Sequence, residues 1–119
     1  MTENAPEMVE SVNLGRIVEP SQIPTIADGT AGGLDPDTRT FNICKKYVDD
    51  YVLLSESEIE HAVYKVYKSC NQIIEPAGAL SVAAAIKTSD LLRKQKVVAV
   101  LSGGRIDSTL FDKIIQKYD

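Results

Sequence analysis

The residues best placed for chemistry are Ser102, Gly103 and Gly104, which follow the unbroken apolar run 97–101 (Val-Val-Ala-Val-Leu) and precede a helix start at Asp107 or Ser108. A buried strand ending in Ser-Gly-Gly puts a hydroxyl and several free N–H groups at the carboxyl edge of a sheet, where open α/β folds hold their ligands. The same residues also suit a tight strand-to-helix turn that needs positive φ at Gly103 or Gly104. Spacing alone leaves both readings open. Other reactive types are sparse: one histidine, two cysteines and no tryptophan, with no Cys/His cluster for zinc and no Cys-His dyad. His61 falls on the polar side of a charged helix and is assigned no role. The nine lysines read as solvated helix or loop residues, whereas a catalytic lysine needs desolvation and a nearby acceptor. Tyr47, Tyr51, Tyr64 and Tyr67 read as core and boundary packing rather than a stacking platform.

The chain has 119 residues, of which 44% are apolar and 25% charged, the composition of one small soluble domain. Thirteen basic against seventeen acidic residues give a net charge of −4. That removes long-range attraction to phosphate backbones and anionic lipid, so neither nucleic acid nor a membrane is an expected partner. The first ten residues carry Glu3, Glu7 and Glu10 and resemble no secretory signal, and no run approaches a membrane span. Cys44 and Cys70 are widely separated, each on what reads as the apolar side of a helix. Two reduced core thiols in a reducing, cytoplasmic compartment are expected.

The elements that must position the Ser-Gly-Gly segment follow from caps and periodicity. A helix is expected over 4–14, with Pro6 in its first turn and Gly15 as its stop. Between 18 and 37, three prolines and three glycines prevent a long helix or central strand. A short helix over 38–48 should turn Phe41, Cys44, Tyr47 and Val48 inward, and 51–54 reads as a short strand. Ser55 and Glu58 have capping-box spacing, and Ile59, Val63, Val66, Tyr67 and Cys70 then mark one buried helical face. Ile73 and Ile74 lead inward to a helix opened by Pro76, whose Gly78 and alanines admit a close neighbour. Residues 97–101 read as a strand buried on both faces, and Leu110, Phe111, Ile114, Ile115 and Tyr118 stripe a last helix. Two strands among five helices is too few, since a doubly buried strand needs neighbours on both sides.

The order of four motifs, Thr25-Ile-Ala-Asp-Gly29, then Val48-Asp-Asp-Tyr51 with Ser55 to Glu58, then Glu75-Pro-Ala-Gly-Ala79, then 97–104 with Asp107, resembles the C-terminal part of serine/threonine dehydratases. These are pyridoxal-phosphate enzymes of the tryptophan-synthase-β-like fold, with serine racemases among their relatives. The resemblance implies an α/β fold: a partial large domain of fold type II, about two parallel strands flanked by helices. Residues 1–119 would form a single incomplete domain, with a helix and Pro/Gly-rich loop over 1–37 and an α/β core over 38–119. It further implies that Ser102 hydrogen-bonds the pyridine nitrogen of the cofactor, that Gly103 and Gly104 let the backbone pass the ring, and that Glu75 lies near the cofactor pocket. Asp28 and Gly29 read as pocket-wall and domain-packing residues. Read without the resemblance, Glu75 is equally an acidic helix start favoured by the macrodipole.

Three departures bear on function. The Schiff-base lysine motif and the tetraglycine phosphate loop of the family are absent from these residues, so no catalytic residue is assigned and little is present to hold pyridoxal phosphate alone. Some relatives bind a divalent cation through a Glu, an Ala carbonyl and an Asp. Here Met1, Ala5 and Glu7 stand at those positions, too few oxygens for a dedicated site, and no metal is expected. Arg105 replaces the usual Asn. The expected activity is that of a part of an L-serine or L-threonine ammonia-lyase, giving 2-oxo acids, and inactive by itself. The alternatives are a racemase-type parent and a non-catalytic module docking on a full-length paralogue. The matching partners are the rest of a dehydratase-like enzyme, supplied by upstream coding sequence or a separate chain, or such a paralogue, with homo-oligomerisation left open.

Overall fold

In the computed structural model, which describes residues 1–119, local capping chemistry sets the helix starts. The Ser55 hydroxyl accepts from the Glu58 N–H while the Glu58 carboxylate accepts from the Ser55 N–H at 2.8 Å, which opens α3, Glu56–Cys70. That helix stops at Asn71, whose φ of 52° lies in the left-handed region that Asn tolerates. Helix α1, Glu7–Leu14, follows Pro6 and stops at Gly15, with φ 72°. Helix α2, Arg39–Tyr47, is capped by Thr38. Helix α4, Pro76–Lys87, carries Pro76 in its first turn, where a missing N–H costs nothing. Helix α5, Ser108–Tyr118, starts where the Asp107 carboxylate accepts the Leu110 N–H at 3.0 Å. A 3-10 turn, Asp28–Thr30, lies between α1 and α2.

The core forms where α3 packs on both α4 and α5. Leu54, Ile59, Ala62, Val63, Ala79, Ala83 and Ile114 are all buried there. Alanines on α4 let α3 approach closely, and the 3-10 turn lies against α4 with Ala27 fully buried. Helices α1 and α2 pack on each other, with Met8, Val9 and Phe41 inward. At 42 × 36 × 19 Å the molecule is a slab about two helix diameters thick. No helix is long and apolar enough to cross a membrane.

Neither expected strand forms. In 51–54 the one bridge is parallel, Leu54 to Thr2: the Leu54 N–H donates to the Met1 carbonyl and the Glu3 N–H to the Leu54 carbonyl, each at 2.9 Å, while the Met1 ammonium donates to the Val52 carbonyl at 2.6 Å. Residues 97–101 make no backbone–backbone hydrogen bond. Their expected burial on both faces is corrected as well, since Val98 is 89% and Val100 68% exposed. The reason is that a strand is defined by its neighbours, and nothing in these residues supplies the second and third strands of a ladder.

Several inward residues are also corrected. On α2 only Phe41 is buried; Cys44 is half-buried, while Tyr47 and Val48 face solvent. Cys70 ends α3 exposed, so it is no core thiol, and both cysteines are free. Ile74 is buried but Ile73 is exposed. A short helix can bury only the side its one neighbour covers.

Candidate functional site

The first turn of α4 is the floor of the site. The Glu75 N–H, one of the donors a helix start leaves over, reaches the Gly103 carbonyl at 3.4 Å. The Glu75 carboxylate then accepts the Arg105 N–H at 3.0 Å, so one residue holds both sides of the 103–105 turn. Gly103 has φ 103°, and a Cβ there would stand 2.5 Å from the Glu75 carboxyl group. Gly78, one turn on, lets the chain lie flat on the helix: a Cβ would meet the Ser102 carbonyl oxygen at 2.6 Å. The Ser81 hydroxyl donates to the Val100 carbonyl at 2.7 Å and extends the same contact backwards.

These contacts pin the backbone on either side of Ser102 while its own side chain stays exposed. Its hydroxyl is free to donate to a ligand. Gly104 passes the Ile73 carbonyl at a distance where a Cβ would be 3.2 Å away. Gly29 sits over the helix start as well, 3.2 Å from the Ala77 Cβ when given a Cβ of its own, and Asp28 beside it is exposed. Ser102, Gly103, Gly104, Glu75 and Gly29, chosen from three separate stretches of sequence, are therefore one cluster. Glu75 meets the loop backbone and supports Ser102 from below.

Glu56 was missed by sequence reasoning. Its carboxylate accepts from the Thr25 hydroxyl at 2.6 Å, the Ile26 N–H at 2.7 Å and the Thr2 hydroxyl at 3.2 Å, tying the 25–29 segment to the start of α3. An acid in a first helical turn was visible, but the two threonines it holds were not. Ala5 and Glu7 lie together at the start of α1, where the Glu7 carboxylate is buried with Oε1 unpaired. One carboxylate and one carbonyl remain fewer oxygens than a hard cation takes. His61 is half-buried, its ring 5.6 Å from that of Tyr118, in the α3–α5 contact and away from this cluster.

Residues 1–103 match the family described as pyridoxal-phosphate dependent enzymes. The chain belongs to that family. Among its relatives, an L-threonine ammonia-lyase of Thermotoga maritima is 41% identical over 116 residues, which are 98% of this chain and 28% of that protein. A catabolic L-threonine dehydratase of Staphylococcus aureus is 36% identical over 117 residues, 96% of this chain and 34% of that one. The chain thus spans about a third of the length of the curated relatives it matches.

Solved structures agree. The processed form of threonine deaminase isoform 2 from Solanum lycopersicum superposes with a TM-score of 0.86 at 29% identity, covering 97% of this chain and 34% of that one. Serine racemase from Dictyostelium discoideum gives 0.76 at 33% identity, covering 89% and 34%. These neighbours bear out the fold-type II expectation for the chain as a whole, while its two strands stay unformed in these residues.

Pyridoxal phosphate fits this cluster at one edge only. A flat, glycine-lined backbone with one outward hydroxyl suits the nitrogen edge of a pyridine ring. Nothing in the cluster offers a phosphate cradle or a lysine.

Proposed function

We propose that this chain contributes the cofactor-nitrogen edge of a cytoplasmic L-threonine or L-serine ammonia-lyase, and that residues 1–119 are one incomplete domain of it. When bound, pyridoxal phosphate supplies the electron sink that lets an amino acid lose its α-proton. The chain's own part is to hold the Ser102 hydroxyl at one place. The Ser102 Oγ–H would hold the cofactor's pyridine nitrogen as a neutral hydrogen-bond donor. Gly103 and Gly104, which carry no side chain, would let the backbone pass close to the bound ring. Glu75 holds the turn through its N–H and its carboxylate, and Gly78 lets the turn sit on α4.

The observation that carries this reading is the pinning of the 102–105 backbone by Glu75 and Gly78 with the Ser102 side chain left outward. The names of the relatives favour hydroxyamino acids as substrates, deaminated to 2-oxo acids. Likeness to a serine racemase supports a racemase-type parent as the second reading. With neither lysine nor phosphate cradle in the cluster, the 119 residues alone are inactive.

The test is a chimera in which this chain replaces the matched segment of the Thermotoga maritima relative. Ammonia release from L-threonine or L-serine, lost in Ser102→Ala with the fold intact, is the expected result. Inversion of serine without ammonia would select the racemase reading. A folded chimera that neither binds pyridoxal phosphate nor turns over either amino acid would sink both.

A further inference from the structure

The glycines beside Asp28 and Ser102 meet at one carboxyl group. A Cβ on Gly103 would stand 2.5 Å from Glu75 Oε1, and a Cβ on Gly29 would reach the same oxygen at 4.0 Å from the 3-10 turn. Asp28 is also built like Ser102, with a fixed backbone and a free side chain. Glu56 takes the Thr25 hydroxyl and the Ile26 N–H, Ala27 is fully buried, and the turn closes as the Thr30 N–H donates to the Ala27 carbonyl at 2.9 Å and the Ala31 N–H to the Asp28 carbonyl at 3.0 Å. The Asp28 carboxylate takes part in none of this: it is exposed and forms no hydrogen bond or ion pair within the chain. A polar side chain left free on a loop held by its scaffold is suited to recognition.

We infer that Asp28 reads the substrate: its carboxylate accepts a hydrogen bond from the β-hydroxyl of the L-threonine or L-serine bound beside the cofactor, and so selects hydroxyamino acids over those with an alkyl side chain. This rests on the function proposed above and names the residue that sets its substrate class. The amino acid's own chemistry singles out the hydroxyl. Its nitrogen goes to the cofactor, and its carboxylate is repelled by a like charge. The hydroxyl is then the donor left for an acceptor-only group. Within the cluster Glu75 is engaged by the Arg105 N–H, so Asp28 is the carboxylate free to accept.

The experiment titrates the chimera, loaded with pyridoxal phosphate, with α-methyl-L-serine and with 2-aminoisobutyrate in a calorimeter. The two differ by one hydroxyl, and neither has an α-proton to lose. The hydroxylated ligand should bind about 10–100-fold more tightly, the scale of one hydrogen bond to a charged group. Asp28→Ala should bring that ratio close to one, and Asp28→Asn, which keeps a carbonyl acceptor, should retain part of it. All three proteins should hold pyridoxal phosphate equally and melt together. A second reading uses the substrate itself: in Asp28→Ala, kcat/KM for L-threonine should fall by about the same factor, while inhibition by L-2-aminobutyrate, its counterpart without the hydroxyl, stays as it was. An unchanged ratio and an unchanged kcat/KM overturn the inference, as does equal weakening of both members of either pair, which marks a structural role. Turnover of L-threonine by a parent chimera that does not distinguish the pairs removes this role and keeps the proposed function. A folded chimera that binds neither pyridoxal phosphate nor amino acid removes the function, and this role with it.

Discussion

The Glu75 carboxylate accepts the Arg105 N–H at 3.0 Å across thirty residues of sequence. Its own N–H faces the Gly103 carbonyl, so the start of α4 and the loop that carries Ser102 are one unit.

Removing the Glu75 carboxylate therefore frees the loop more than it weakens the helix. Glu75→Ala should cost about 1 kcal/mol, the scale of one partly exposed hydrogen bond, and speed exchange of the Arg105 amide. Glu75→Gln retains a carbonyl acceptor and should leave that amide close to its original rate. Equal Arg105 exchange in all three proteins would show that the contact carries no weight.

The two close approaches should respond differently to an added methyl group. Gly78→Ala drives a Cβ into the Ser102 carbonyl, which is backbone and can yield only if the loop lifts off α4. Gly103→Ala meets a movable carboxylate instead, but also carries the strain of φ 103°, on the order of 1–3 kcal/mol. In a double-mutant cycle, Glu75→Ala should relieve more of the Gly103→Ala cost, where the clashing atoms are removed, than of the Gly78→Ala cost, where the clashing carbonyl stays. Urea denaturation of the six proteins measures this.

Glu56 predicts the behaviour of the segment before α2. Its three acceptor contacts hold Thr2, Thr25 and Ile26, and Glu56→Ala should cost about 2–3 kcal/mol because the buried Thr2 hydroxyl and the Ile26 N–H lose their partner together. Limited proteolysis should then cut first within 17–31. Unaltered cleavage there would mean that the loop is held by its other contacts.

Acid should weaken the α3 start. Burial raises the Glu58 pKa, but hydrogen bonds from the Ser55 N–H, the Lys87 ammonium and the Ser55 hydroxyl outweigh it and hold the group below its ordinary 4.5. A depressed carboxyl stabilises the fold above its unfolded pKa, and the contribution is lost as pH falls through the lower folded value. Glu58→Gln should thus be less stable than the parent at neutral pH and should flatten the decline below about pH 4.5. An unchanged acid limb in thermal melts would contradict this.

Much of this chain could be read locally. Thr38, Ser55, Pro76 and Asp107 open helices because each acts on groups within a few residues of itself. The sequence by itself thus determined those four helix starts, the stop at Gly15 and the order of the four motifs, and through that order it marked Ser102, Gly103, Gly104 and Glu75 as candidates. Tertiary structure decided what depends on distant partners. It gathered Glu75 and Gly103 on α4, recruited Glu56 to hold Thr25, and turned Tyr47, Val48 and Cys70 to solvent. It also left 97–101 unpaired despite a strand-like composition. Helix caps close their hydrogen bonds within one turn, whereas strand ladders and buried faces require a second surface, and only folding decides whether one is there.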